Sequence, residues 1–207
     1  MGLGEELEIA CGEQAISAFA ALRRPGWLSV NISPELVLAG RADALVRNAG
    51  RPLVLELTEH VAIDDYARLR GAIDLLDPPA MIAIDDTGAG YASLRHVLEL
   101  RPDFVKLDLG FVHAVDTDPA RQAMVAGMVH YASETNTRLI AEGIETEAER
   151  RTLLRLGVRF GQGFLLGMPT TGAGVEPRRG VVGDRTARRL RAVTQVGGST
   201  DSRAAVG

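Results

Sequence analysis

Hydrophobic and polar positions follow two rhythms along the 207-residue chain. Short runs rich in aliphatic and β-branched residues recur six times, separated by longer stretches whose apolar positions lie three or four apart. The short runs predict strands at Trp27–Ser33, Leu53–Glu59, Met81–Asp86, Phe104–Leu109, Arg138–Glu145 and Phe160–Gly167. The longer stretches predict helices over roughly 35–49, 64–77, 91–100, 119–136 and 146–157, with another over roughly 5–23 before the first strand. Such alternation builds an α/β fold around a parallel sheet, because each strand needs a helical crossover to return in the same direction. After Pro169 the periodicity stops. Residues 170–207, rich in Gly, Ser, Thr and Arg, predict a flexible tail in which Arg185–Val193 has the composition of a short basic helix.

Each predicted strand carries polar or acidic residues in its C-terminal part: Asn31; Glu56 and Glu59; Asp85 and Asp86; Lys106 and Asp108; Glu142 and Glu145; Gln162. In parallel α/β folds the C-terminal ends of the strands form the rim that carries the chemistry. One acidic residue at a strand end often only caps the next helix or opens a turn. Six successive strands ending this way point to a shared site.

Composition narrows the picture. With 46% apolar and 24% charged residues and a mean hydropathy of +0.05, the chain is neither disordered nor collagenous. No apolar run reaches the ~18 residues of a membrane span. Glu5, Glu6 and Glu8 stand where a secretory leader would be basic and then apolar, which predicts a cytoplasmic location. Cys11 is the single cysteine, so no internal disulfide is expected. The net charge of −4 hides an asymmetry: residues 170–207 hold seven Arg against Glu176, Asp184 and Asp201, so the first 169 carry about −8. Neither a DNA nor an RNA polymer is expected as partner. Of 23 basic residues only Lys106 is lysine, which asks for a specific reason.

Carboxylates at Glu56, Asp85, Asp86 and Glu142, with the Asn31 amide oxygen, repel one another on a common rim unless cations stand between them. An all-oxygen ligand set without His or Cys suits Mg2+ or Mn2+. Adjacent aspartates can serve two ions ~3.5–4 Å apart, an arrangement used to cleave phosphate esters. A lysine beside them can orient or help deprotonate a metal-bound water, whereas arginine stays protonated. The run Thr87-Gly88-Ala89-Gly90-Tyr91 predicts a glycine loop next to the acidic pair.

These residues carry a resemblance to the EAL-domain family of bacterial cyclic-di-GMP phosphodiesterases. The matching segments are SVNIS (29–33), LELTE (55–59), IDDTGAGYASL (84–94), VKLD (105–108), IAEGIET (140–146) and GQGFLLGMP (161–169), in family order across nearly all of residues 3–169. The resemblance implies a TIM-type (β/α) barrel that hydrolyses cyclic di-GMP to pGpG with two divalent ions, Mg2+ or Mn2+, and that commonly forms homodimers. It implies that Asn31, Glu56 and Asp85 ligate one metal, that Asp85, Asp86 and Glu142 serve the second, and that Lys106 holds the attacking water. Glu59 would brace the glycine loop, and Glu145 and Gln162 would complete the far side of the site.

Four departures qualify the match. Thr87 stands where the family more often has Phe, Leu109-Gly110 replaces a common Arg-Ser, and Met168 replaces an Arg before the closing proline. The tripeptide Glu-Ala-Leu, whose Glu binds metal in the family, is nowhere in the sequence. Six strands also fall short of the eight of a closed barrel. The expectation is therefore an EAL domain over residues 1–169 that lacks its first two strands, with impaired activity. The alternative is a non-catalytic module that binds cyclic di-GMP or a partner protein.

Overall fold

The computed structural model describes residues 3–21, 26–57, 63–87, 91–168 and 191–192. Helix α1 (Leu3–Ala21) leads into β1 (Leu28–Ile32), followed by α2 (Pro34–Leu38), α3 (Ala42–Asn48), β2 (Leu53–Leu57) and α4 (Tyr66–Asp74). Next come β3 (Met81–Thr87), α5 (Tyr91–Leu100), β4 (Phe104–Leu107), α6 (Leu109–Val112), α7 (Pro119–Thr135), β5 (Arg138–Ala141), α8 (Glu147–Leu156) and β6 (Phe160–Gly161). A two-residue strand, β7 (Arg191–Ala192), pairs with β6 inside the stretch whose composition predicts a tail. All strands run parallel in the order β1 to β7, and the sheet is not closed.

All six predicted strands form, and the differences lie at their ends. The run after Arg138 stops at Ala141, because Gly143 turns the chain with φ +69. The run after Phe160 ends as a strand at Gly161 and continues as turns. The helix predicted over 35–49 is two helices, and Asp108, read as part of a strand, caps the short α6 by accepting from the Phe111 N–H at 3.3 Å. Asn136, in the left-handed conformation that Asn tolerates, closes α7.

Strand alternation sorts the side chains into two faces. Leu53, Leu55, Leu57, Ile82, Ile84, Val105, Leu107, Leu139 and Ala141 are buried in the main apolar core, which they share with residues of the helices. Val54, Ala83, Phe104 and Ile140 form a second, smaller core with Trp27, Met81 and Phe160. Glu56, Asp85, Lys106 and Glu142 each follow a member of this second core by two residues, so polar chemistry is stacked directly above an apolar floor. The sheet is strongly curled. Five strand spacings would separate β1 from β6 by about 24 Å if flat, yet the rings of Trp27 and Phe160 lie 5.9 Å apart. Phe104 packs between them, at 5.3 Å from Trp27 and 6.3 Å from Phe160.

Candidate active site

At the C-terminal ends of β2, β3 and β4 and just beyond β5, three carboxylates converge on one ammonium. Lys106 Nζ lies 3.0 Å from Glu56 Oε2, 2.6 Å from Asp85 Oδ1 and 2.9 Å from Glu142 Oε1. Glu56 and Lys106 are buried at 2% relative exposure each, where lone charges are not tolerated. Gln162, just past β6, donates from Nε2 to Glu142 Oε1 at 2.5 Å. Its Oε1 is buried and has no hydrogen-bond partner among the described residues.

The electrostatics follow from two competing effects. Burial works to lower the Lys106 pKa, but the charges of Glu56, Glu142 and Asp85 outweigh it and raise the pKa above the ordinary lysine value. The three carboxylates thus favour the charged ammonium form of Lys106. Burial likewise pushes Glu142 up to about 7, against the pull of Lys106 and with added repulsion from Asp85 and Glu56. One ammonium does not neutralise three carboxylates.

The loop after β5 is held in place by its backbone. Glu142 N–H donates to Leu107 O at 3.0 Å, Ile144 N–H to Gln162 O at 3.0 Å and Leu165 N–H to Ile144 O at 3.1 Å. Gly163 makes this possible: a Cβ there would lie 2.2 Å from Ile144 N, so only glycine allows the two segments to touch. This stitching sets Gln162 against Glu142.

Glu56, Asp85, Lys106, Glu142 and Gln162 are thus brought together. Asn31 is exposed at the end of β1, in register with Glu56 on the neighbouring strand. The Glu145 side chain is exposed beyond the β5 loop. Asp86 is the penultimate residue of β3, with its side chain outside the described residues, and Glu59 and the loop glycines Gly88 and Gly90 also lie outside them. Sequence reasoning missed Glu149. This buried carboxylate accepts from Ala114 N–H at 3.0 Å through Oε1 and from Glu145 N–H at 3.1 Å and Thr146 N–H at 3.0 Å through Oε2. The pattern Thr146-x-x-Glu149 is a capping box and was readable as such.

The donor set fits hard divalent cations: clustered carboxylate oxygens carry more negative charge than Lys106 supplies. It is not a ready-made cage. Among the described residues no three acidic, His or Cys side chains are grouped to hold a metal by themselves, and the ammonium stands where the carboxylates meet.

The fold finds its counterpart among known proteins. The signature described as EAL domain matches residues 1–169, and the chain belongs to the EAL domain family. The bifunctional diguanylate cyclase/cyclic di-GMP phosphodiesterase MucR of Pseudomonas aeruginosa is 37% identical over 150 residues, covering 69% of this chain and 22% of MucR. The chain therefore spans about a fifth of that relative's length. The EAL domain of Mycobacterium smegmatis DcpA superposes with a TM-score of 0.73 at 31% identity, covering 83% of each chain. Klebsiella pneumoniae BlrP1, solved as a manganese/cyclic-di-GMP complex, gives a TM-score of 0.70 at 26% identity over 80% of this chain and 45% of BlrP1. The architecture is thus the TIM-type α/β fold of the EAL family with an open sheet. Among the described residues no helix is long and apolar enough to cross a membrane.

Proposed function

We propose that this chain carries a cyclic di-GMP phosphodiesterase site that opens the cyclic dinucleotide to pGpG with Mg2+ or Mn2+. The observation that carries the reading is the convergence of Glu56, Asp85 and Glu142 on Lys106 at the strand ends of an EAL fold. The manganese/cyclic-di-GMP complex of BlrP1 supports both the ligand and the ion.

In this reading Glu56, Asp85 and Glu142, with Asn31 and Asp86, hold the divalent ions. When bound, the ions supply Lewis acidity that lowers the pKa of water and stabilises charge on the phosphate. Lys106 orients the attacking water, its amine lying 2.6 to 3.0 Å from the three carboxylates. Glu142 accepts from Lys106 Nζ at 2.9 Å, which keeps the two groups adjacent in the site. Gln162 fixes the Glu142 carboxylate through its Nε2. Glu145 completes the far side, and Glu59 braces the loop after Asp86. The sequence lacks the Glu-Ala-Leu tripeptide, so turnover by this chain alone is reduced, by about 10²-fold for a nucleophile misplaced by ~1 Å. A cytoplasmic location and pairing of two copies belong to the same reading.

The test is pGpG release from cyclic di-GMP with protein in excess over substrate, so that slow turnover registers. Slow release that needs Mn2+ and stops in Lys106→Arg is expected, since Arg keeps charge but not the geometry. Release that persists in EDTA, or is undiminished in Lys106→Arg, contradicts the assignment.

A further inference from the structure

Lys106 touches one oxygen from each of Glu56, Asp85 and Glu142, the carboxylates through which a divalent ion would be held. The residue is buried at 2% exposure, and its ammonium lies against all three at 2.6 to 3.0 Å. A cation entering this cluster must either displace the ammonium from oxygens it occupies or bind beside it under like-charge repulsion in a poorly hydrated site. Either route makes the lysine an antagonist of the metal.

We infer that the Lys106 ammonium competes with the divalent ion for Glu56, Asp85 and Glu142, so that the lysine that serves the reaction also weakens metal binding and sets the ion concentration at which the site fills. The inference rests on the proposal that these carboxylates hold metal, and deepens it by assigning a second role to the lysine. It also gives a physical meaning to the isolation of Lys106 among 22 arginines. A compact ammonium on a flexible stem can withdraw from three carboxylates, whereas a planar guanidinium, forked onto two of them, is a poorer leaving cation.

The sole lysine makes the wild-type protein its own probe. Protein labelled with 13C and 15N in lysine gives one side-chain Cε–Hε signal, which is followed while diamagnetic Mg2+ is added. A signal that moves in step with Mg2+ binding, measured in parallel by calorimetry, is the expected result. Mg2+ that binds while the Lys106 signal stays fixed overturns the competition and leaves the metal site standing. No binding of Mg2+ or Mn2+ by any readout overturns both.

Variants supply the sign. Lys106→Met, checked for folding by circular dichroism, should bind Mn2+ about tenfold or more tightly than wild type, since a resident positive charge is gone. Lys106→Arg should bind no more tightly than wild type. A folded Lys106→Met that binds Mn2+ equally or more weakly, or a Lys106→Arg that tightens binding as much as Lys106→Met, overturns the inference.

Discussion

Glu142 is the residue on which the balance of the site is most easily measured. Its proton is held up to about pH 7 in the folded chain, against 4.5 for an ordinary glutamate, because burial and two neighbouring carboxylates outweigh Lys106. The folded state therefore binds this proton more tightly than the unfolded state. Its contribution to stability is complete below pH 4.5 and is lost as pH rises to about 7. In EDTA the Tm should fall across that window, and Glu142→Gln should flatten the slope. An equal slope in both proteins would show that another group is responsible. Glu149 acts outside this window: burial raises its pKa, but backbone donors from Ala114, Thr146 and Glu145 outweigh that and lower it, so its contribution fades only in more acid solution. The residue types of the site were legible in the sequence because each interrupts or follows a short apolar run. The protonation state of Lys106 was not, since it depends on three carboxylates brought from β2, β3 and the loop after β5.

At the scale of elements, the segment carrying Lys106 and the segment carrying Glu142 are joined by more than the β4–β5 ladder. Glu149 on α8 spends one oxygen on Ala114, beyond α6, and the other on Glu145 and Thr146. Glutamine keeps the size but offers one acceptor oxygen and turns an NH2 toward an N–H. Glu149→Gln should therefore cost about 1–3 kcal/mol, seen in urea unfolding, with faster amide exchange at Ala114 or at Glu145 and Thr146. Wild-type stability and exchange would show that the bracket is not needed. The six strands were readable as short runs of aliphatic and β-branched residues, whereas α6 was hidden because Asp108 prolongs the run of β4 while acting as a cap. The strand β7 was hidden for the opposite reason: the sequence around Arg191 has no sustained apolar rhythm to read.

For the molecule as a whole, the aromatic floor joins the two sides of an open sheet. Trp27 before β1 meets Phe104 and Phe160, and the guanidinium of Arg138 lies 4.1 Å from the Phe104 ring centroid. Phe160→Ala removes the bridge and should lower stability by about 1–3 kcal/mol, less than for a fully buried ring. Trp27 is the single tryptophan, so its emission should shift to longer wavelength in the variant. An unmoved emission maximum would mean that the rings do not hold the curl. The curl matters to the site because it turns four strand ends toward one point.

The central claim, that this point is a metal-dependent cyclic di-GMP site, is tested most directly by equilibrium binding of the dinucleotide with and without Mn2+, in wild type and in Asp85→Asn. The proposed function predicts binding that requires Mn2+ and is lost in Asp85→Asn, because that change removes charge from the carboxylate nearest the ammonium. Binding of equal strength in EDTA, or in Asp85→Asn, would contradict it.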